Sequence, residues 1–288
     1  MAIQRGLHLF LRLALTVLLA GLLGASLVRY APGFGVDEQE LDARLSSTSV
    51  QALRDAHAGE RNILSFYAHY LARLAQGDLG RSRSLGQPVR ELFRERFPYT
   101  LRSVGFGLLG GWIFGFGLAL PGALQRNWAY DVISTLLSGL FLCLPAAVVA
   151  LFFLYFGGAP AWAISLVTFP RIFRFSRNLI LETYSQPHIV SAKARGLGWA
   201  RVLFWHVLKP AAPQLCALAG VSVSIAVGAS IPIEVVCDSP GLGQLAWQAA
   251  LGRDLPLLVN ITLLIAVITL FANSISDFFG KTLSPRSA

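Results

Sequence analysis

Long apolar runs alternate with short polar links along the chain. An α-helix rises 1.5 Å per residue, so about 20 apolar residues are enough to cross the hydrocarbon core of a bilayer. The first apolar run falls within residues 1–30, and five more follow at about 100–124, 131–156, 160–182, 210–236 and 255–280. Runs of this length predict an all-α integral membrane protein with six transmembrane helices.

The N-terminal third contains the largest departure from this pattern. Arg5 and Arg12 precede the apolar run Leu13–Val28, as in a cleaved signal peptide. The longer run Leu7–Val28 is long enough to cross the bilayer and favours an uncleaved first span instead. Residues 31–98 are neutral, with nine basic and nine acidic residues, and are rich in glycine breaks near their end. They predict a small helical and turn-rich segment outside the cytoplasm. Residues 99–288 then form the membrane core.

Charge sets the predicted orientation. The chain is 55% hydrophobic and 14% charged, with a net charge of +9 and a mean hydropathy of +0.59. Basic residues cluster at the ends of apolar spans, so the positive-inside bias places both termini and residues 170–213 in the cytoplasm. This placement argues against nucleic-acid binding. The three cysteines are far apart and indicate neither a metal site nor a disulfide framework.

The most basic stretch, residues 170–213, holds seven basic residues and one acid. Within it, residues 183–209 are predicted to form a cytoplasmic loop. Ser191–Arg195 can form a helix, Gly196-Leu-Gly198 is a flexible break, and Trp199–Leu208 can resume as an amphipathic helix. Such a helix–glycine–helix element could rock as a lever against a soluble partner. A basic loop that binds membrane lipid headgroups is the alternative.

Three arginines interrupt the fourth apolar run. Arg171 lies only about ten residues from its start, roughly 15 Å along a helix, where exposure of a guanidinium to lipid costs about 2.5–3.5 kcal/mol. We therefore expect Arg171 and Arg174 to line a hydrated translocation path or gate, with Arg174 and Arg177 reaching toward the inner surface. In a tilted helix, all three would instead lie at the interface.

Glycines are concentrated in the second span. Gly107, Gly111 and Gly115 share one helical face and predict close helix packing. Residues 105–110 match the dinucleotide-binding fingerprint by letters, but no strand precedes them and the run is apolar. The sequence has no phosphate-binding loop and no H-E-x-x-H or G-x-S-x-G motif. We therefore expect no catalytic residue, metal site or cofactor on this chain.

Six groups of short motifs occur in order along nearly the whole chain. They are Tyr30-Ala-Pro-Gly33; Gly77-Asp-Leu-Gly-Arg-Ser82 with Pro98-Tyr-Thr-Leu101; the triplet Arg171, Arg174 and Arg177; Ser191-Ala-Lys-Ala-Arg-Gly-Leu-Gly198 with the later His206; Glu234 to Gly243; and Arg253-Asp254 with Pro256. Together they resemble the permease subunits of ABC importers, in particular the dipeptide, oligopeptide and nickel branch. The loop motif departs from the usual Glu-Ala at Val190 and Ser191.

The resemblance implies an ABC type I importer permease fold in the bacterial cytoplasmic (inner) membrane. It implies a non-catalytic subunit that works with a second homologous permease subunit, two ABC ATPase subunits that bind ATP and Mg²⁺, and an extracytoplasmic solute-binding protein. The transported solute would be a peptide or a similar small solute. The implied ATPase-coupling residues are Ala192, Lys193, Ala194, Arg195, Gly196 and Leu197.

An ion-coupled secondary transporter or a stand-alone membrane enzyme is the alternative. An ion-coupled transporter would usually show buried carboxylates or inverted repeats. We see no internal repeat. We assign Glu234 to an outside loop, and the candidate intramembrane acid is Asp277, near the inner end of the last span.

Overall fold

The computed structural model describes residues 71–74, 76–125 and 127–283, with Leu15, Leu19 and Leu22 as isolated positions. Apart from those three leucines, the predicted first span lies outside the described residues. Residues 31–70 of the predicted segment 31–98 also lie outside them. The long elements of the described part are helices, and one isolated bridge joins Arg81 and Pro88. The helices are α1 (Val89–Gln125), α2 (Trp128–Cys143), α3 (Ala146–Tyr155), α4 (Pro160–Tyr184), α5 (Pro187–Ala194), α6 (Trp199–Arg201), a π-helical segment (Val202–Leu208), α7 (Lys209–Val236), α8 (Leu242–Leu251) and α9 (Leu255–Leu283).

Three helices in the described part are long and apolar enough to cross a membrane: Val89–Leu124, Trp199–Val236 and Leu255–Leu283. The pair α2 and α3 would make a fourth if the two helices together form one span. Helix α4 carries three arginines and is not among these candidates. The structure therefore has helices at all five predicted spans after residue 99, but only some of them meet the length and composition of a span.

The third predicted span is broken, and Pro145 lies at the break. Helix α2 ends at Cys143, α3 begins at Ala146, and the two helices are bent by 97°. Leu144 and Pro145 between them have extended backbones. Proline disfavours helical geometry at the preceding residue, so α2 ends there. The sequence predicted one span at about 131–156, whereas in the structure Pro145 separates two helices.

Helix α1 begins earlier than the sequence predicted. It starts at Val89, within the segment that we assigned to the turn-rich region, and contains Pro98 and Pro121. The glycine turns end immediately before this helix. The last of these glycines, Gly86, has a positive φ of 67°, and Val89 at the start of α1 is already buried. The polar first turns and the apolar remainder are therefore one helix.

The chain divides into two compact units, Met1–Arg96 with Leu245–Val267, and Phe97–Gln244 with Ile268–Ala288. In the first unit, the carboxylate of Asp254 is buried. It accepts hydrogen bonds from the hydroxyls of Ser82 (2.5 Å) and Ser84 (3.0 Å). It also accepts one from the N–H of Leu257 (3.1 Å), which caps the first turn of α9. Asp254 thereby fastens the turn segment before α1 to the start of α9.

Contacts within the second unit define helix directions. Asp131 near the start of α2 pairs with Arg177 near the end of α4, and Phe141 near the end of α2 packs edge-on against Phe169, with ring centroids 5.5 Å apart. Helices α2 and α4 are therefore antiparallel. Trp112 in α1 donates to the Ser222 hydroxyl in α7 at 3.1 Å.

Helix α7 also packs closely against α9. A Cβ added at Gly220 of α7 would lie 2.7 Å from the amide oxygen of Asn273, and one added at Gly280 would lie 3.3 Å from the carbonyl oxygen of Pro213. Residue numbers thus rise along α7 while they fall along the facing part of α9. The two helices run antiparallel in this unit.

Candidate functional site

The loop between α4 and α7 contains a sharp, hydrogen-bonded turn at Gly196. Helix α5 ends there because Gly196 has a φ of 74°, a left-handed conformation that glycine adopts without strain. The N–H of Gly196 donates to the carbonyl of Lys193 (2.9 Å), and the N–H of Leu197 donates to that of Ala192 (3.4 Å). These two bonds form a Schellman motif. The predicted flexible break is therefore a defined helix stop.

Apolar side chains hold the underside of the loop against the ends of α1 and α4. The buried cluster joins residues of α5 and the π-helical segment to one residue each of α1 and α4: Ile189, Ala192, Val202, Leu203, Val207, Ala123 and Ile180. Leu197 packs against it and is partly buried. Burial of this kind stabilises a fixed arrangement, because each side chain loses contact with water. The loop and the ends of both helices would therefore move together.

The six predicted coupling residues differ in what they present to a partner. Lys193, Ala194, Arg195 and Gly196 are exposed, whereas Ala192 is fully buried. We call the four exposed residues the loop tip. The ammonium of Lys193 lies 4.4 Å from the centre of the Tyr184 ring, within range of a cation–π contact. A docked protein could reach the loop tip directly, with Ala192 and Leu197 beneath it.

A histidine ties the two halves of the loop together. Nε2 of His188 in α5 lies 3.0 Å from the carbonyl oxygen of His206 in the π-helical segment. The carbonyl can only accept, so Nε2–H is the donor. Nδ1 of His206 is buried and has no hydrogen-bond partner among the described residues. The contact closes α5 onto the helical segment that follows the Gly196 turn.

The three arginines of α4 have different surroundings. Arg177 forms an ion pair with Asp131 of α2, and its Nε donates to that carboxylate at 2.7 Å. Nε of Arg174 donates to the hydroxyl of Ser138, also on α2, at 3.1 Å. Arg171 is exposed and makes no hydrogen bond or ion pair with the described part of the chain. Of the two predicted gate residues, Arg174 is bonded to α2, whereas Arg171 has no such bond to any described residue.

The three glycines of α1 face α4. A Cβ added at Gly107 would lie 2.6 Å from Cβ of Ile164, and one at Gly115 would lie 2.9 Å from Cβ of Ile172. At Gly111 it would collide with the hydroxyl of Thr168. The contacts advance in the same order along both helices, so α1 and α4 are parallel. Any larger residue at these positions would force the two helices apart.

A buried carboxylate joins α7 to α1 and to the first turn of α8. Glu234 is fully buried and accepts a hydrogen bond from the N–H of Gly243 (2.7 Å) and one from the hydroxyl of Ser103 (3.3 Å). The Thr100 side chain and the Gln244 backbone also hydrogen-bond to it. The missing side chain of Gly241 leaves room for the carboxylate. We call these residues the Glu234 cage.

Sequence interpretation missed two of these features. It assigned Glu234 to an outside loop, whereas the structure places it near the end of α7. The sequence signal for a buried Glu234 was its position as a carboxylate within the apolar run Ala211–Val236, followed by the glycines of the P-G-L-G motif. The second feature is a set of exposed aromatic side chains, Trp199, Phe204 and Trp205. Their spacing among basic residues was visible in the sequence but was interpreted only as amphipathic.

Known proteins match the chain over most of its length. The family model described as "Binding-protein-dependent transport system inner membrane component" matches residues 107–288. The oligopeptide transport system permease protein OppB of Salmonella typhimurium is 31% identical over 248 residues, covering 78% of this chain and 80% of the relative. A Brucella suis relative, provisionally named a peptide permease, is 28% identical over 304 residues and covers 95% of this chain and 94% of the relative.

A solved structure shares the fold. A chain of the inward-facing MetNI methionine ABC transporter superimposes with a TM-score of 0.61 and 18% sequence identity. The alignment covers 67% of this chain and 97% of that chain. The fold of about two thirds of this chain therefore has a counterpart in that transporter.

Proposed function

Because the chain belongs to the family of binding-protein-dependent transport system inner membrane components, which are ABC importer permeases, we propose that it forms half of the translocation pathway of an ATP-driven importer. The solute that we propose is a peptide or a similar small solute. The similarity to OppB over most of the chain carries this proposal. The chain itself is non-catalytic, and ATP with Mg²⁺ binds to two partner ATPase subunits. A second homologous permease subunit and an extracytoplasmic solute-binding protein complete the assembly.

We propose that the loop tip docks on an ATPase subunit. Its four exposed residues project from a loop whose underside is packed on Ala123 of α1 and Ile180 of α4. Movement of a docked ATPase would therefore pass directly to two helices of the second unit. The role of Ala192 and Leu197 is to support the loop tip from below. Alternating access follows when these helices change position together.

The proposed topology has six spans with both termini in the cytoplasm. Helix directions in the second unit support it, because α1 and α4 are parallel to each other and α4 is antiparallel to α2. Helix α1 is antiparallel to α7, since Ser103 bonds to Glu234 and Trp112 bonds to Ser222. Chain segments that cross outward and inward alternately require this pattern. The loop tip then lies on the cytoplasmic side, and the loop before α8 lies outside.

A valine at Gly196 is expected to uncouple the importer. The left-handed backbone at this position costs a β-branched residue about 1–3 kcal/mol, so the loop tip would be deformed or displaced. Solute uptake and solute-stimulated ATP hydrolysis by the reconstituted complex should both fall sharply, while the chain still inserts. Uptake of a radiolabelled peptide into proteoliposomes, measured beside hydrolysis, tests the proposal.

Gly198→Val is the matched control for this substitution. Gly198 lies two residues away, is exposed, and has an ordinary φ of −61° that valine tolerates. It should retain most of the uptake and hydrolysis. Normal uptake and hydrolysis in Gly196→Val would show that coupling does not depend on this turn.

We propose that Arg171 acts at the gate of the pathway, together with Arg174. The exposed guanidinium of Arg171 has no partner on the described part of the chain, so it is available to the partner permease across the pathway. Arg171→Ala should preserve assembly and raise basal ATP hydrolysis or lower uptake. An effect of about fivefold corresponds to the loss of a contact worth about 1 kcal/mol.

The control for Arg171→Ala is Arg90→Ala, which removes an exposed arginine near the start of α1. Basal hydrolysis and uptake are measured for both variants and wild type in the same proteoliposomes. If Arg171→Ala matches wild type in both assays, Arg171 has no role in gating.

A further inference from the structure

One face of the helical segment that leads into α7 carries exposed aromatic and basic side chains. Phe204 and Trp205 are each 62% exposed, and Arg201 and Lys209 are exposed on either side of Trp205. The ammonium of Lys209 lies 5.2 Å from the centre of the Trp205 ring. We call Arg201, Phe204, Trp205 and Lys209 the interfacial patch. It lies on the opposite side from Val202, Leu203 and Val207, which are buried beneath the loop.

The charge of this region is of one sign. No aspartate or glutamate occurs between Glu182 and Glu234, whereas four basic residues do: Lys193, Arg195, Arg201 and Lys209. Neither Arg201 nor Lys209 forms an ion pair with the described part of the chain. The interfacial patch is therefore complementary to an anionic partner.

The position of the patch favours the membrane surface. Lys209 is the last charged residue before the apolar stretch of α7, which continues to Glu234. Trp205 lies four residues before Lys209, about 6 Å along a helix, and the headgroup layer on each side of a bilayer is roughly 5–7 Å thick. Tryptophan is enriched at this depth, and lysine side chains near helix ends extend to it. The loop tip lies beyond the Gly196 turn, farther from α7 along the chain.

We propose that the interfacial patch binds the phosphate headgroups of anionic phospholipids in the cytoplasmic leaflet. Arg201 and Lys209 contact the phosphate oxygens, and the rings of Phe204 and Trp205 enter the boundary between headgroups and acyl chains. The assignment to this leaflet rests on the cytoplasmic orientation of the loop under the proposed function. The second half of the loop is then held by lipid, while the loop tip stays available to a protein.

Lipid titration of the purified full-length chain in detergent tests the proposal. Native mass spectrometry measures the binding of phosphatidylglycerol, with phosphatidylcholine as the zwitterionic comparison. Wild type should bind phosphatidylglycerol more tightly. The double variant R201Q/K209Q should lose about fivefold in affinity for each cation, roughly 25-fold in total. F204A/W205A should also bind more weakly, although its charge is unchanged.

The matched control is K193Q/R195Q, which removes the same charge from the loop tip and should bind phosphatidylglycerol as wild type does. Equal losses in the two double variants would indicate binding to net charge alone and would overturn the proposal. Unchanged lipid binding by R201Q/K209Q would also overturn it. If R201Q/K209Q binds phosphatidylglycerol as wild type does but co-purifies with fewer ATPase subunits, the patch contacts the protein partner and not lipid. Because the titration needs neither ATPase nor solute, failure of the importer proposal would not affect its result.

Discussion

Glu234→Ala is expected to destabilise the folded chain severely. The Glu234 carboxylate is fully buried and accepts hydrogen bonds from α1 and from the first turn of α8. Alanine would leave the N–H groups of Gly243 and Gln244 without their acceptor. Each buried donor left unsatisfied costs about 1–3 kcal/mol. We expect the thermal transition of the purified chain in detergent to fall by on the order of 10 °C, with a matching loss of folded protein.

Two further variants separate this effect from the loss of a negative charge. Glu182→Ala removes an exposed carboxylate from α4 and should leave the thermal transition unchanged within a few degrees. Glu234→Gln keeps one acceptor oxygen, and the hydroxyls of Thr100 and Ser103 can rotate to accept from its amide, so its stability should be intermediate. A Glu234→Ala chain as stable as the Glu182→Ala chain would mean that the cage does not hold these segments together.

Gly111→Val is expected to separate α1 from α4. The new Cβ would collide with the hydroxyl of Thr168, which is buried. The single proton of that hydroxyl is shared between the carbonyls of Ile164 (2.9 Å) and Ser165 (3.1 Å), so the hydroxyl cannot turn away without losing this bond. Overpacking of a closed interface costs about 1–3 kcal/mol or more. The yield of folded chain and its thermal transition should both fall.

The control for this variant is Gly117→Val, which makes the same change in the same helix. Nothing lies within 4 Å of a Cβ added at Gly117, so the effect of valine on the helix backbone is present without the collision. The thermal transitions of both chains are measured in the same detergent. Equal losses in the two variants would attribute the effect to helix propensity and would contradict close packing at Gly111.

The family could be predicted from the sequence, and the comparisons confirm the resemblance to ABC importer permeases. The motifs behind this prediction are local. A run such as Ser191–Gly198 can be recognised from its own residues, without knowledge of the helices that pack against it. Helices were predictable where a long apolar run has few alternatives to a membrane-spanning helix, as in α7 and α9. The break at Pro145 was harder to predict, because proline either kinks a helix or ends it, depending on what packs around it.

Sequence alone determined the apolar periodicity, the basic character of the loop and the shared face of Gly107, Gly111 and Gly115. These properties depend on residue type and spacing along one element. Only the tertiary structure decided that the glycine face meets α4, that Arg174 and Arg177 bond to α2, and that Glu234 accepts hydrogen bonds from α1 and the first turn of α8. Each of these contacts joins residues from different elements. Spacing along the chain therefore carries no information about their partners, and packing selects them.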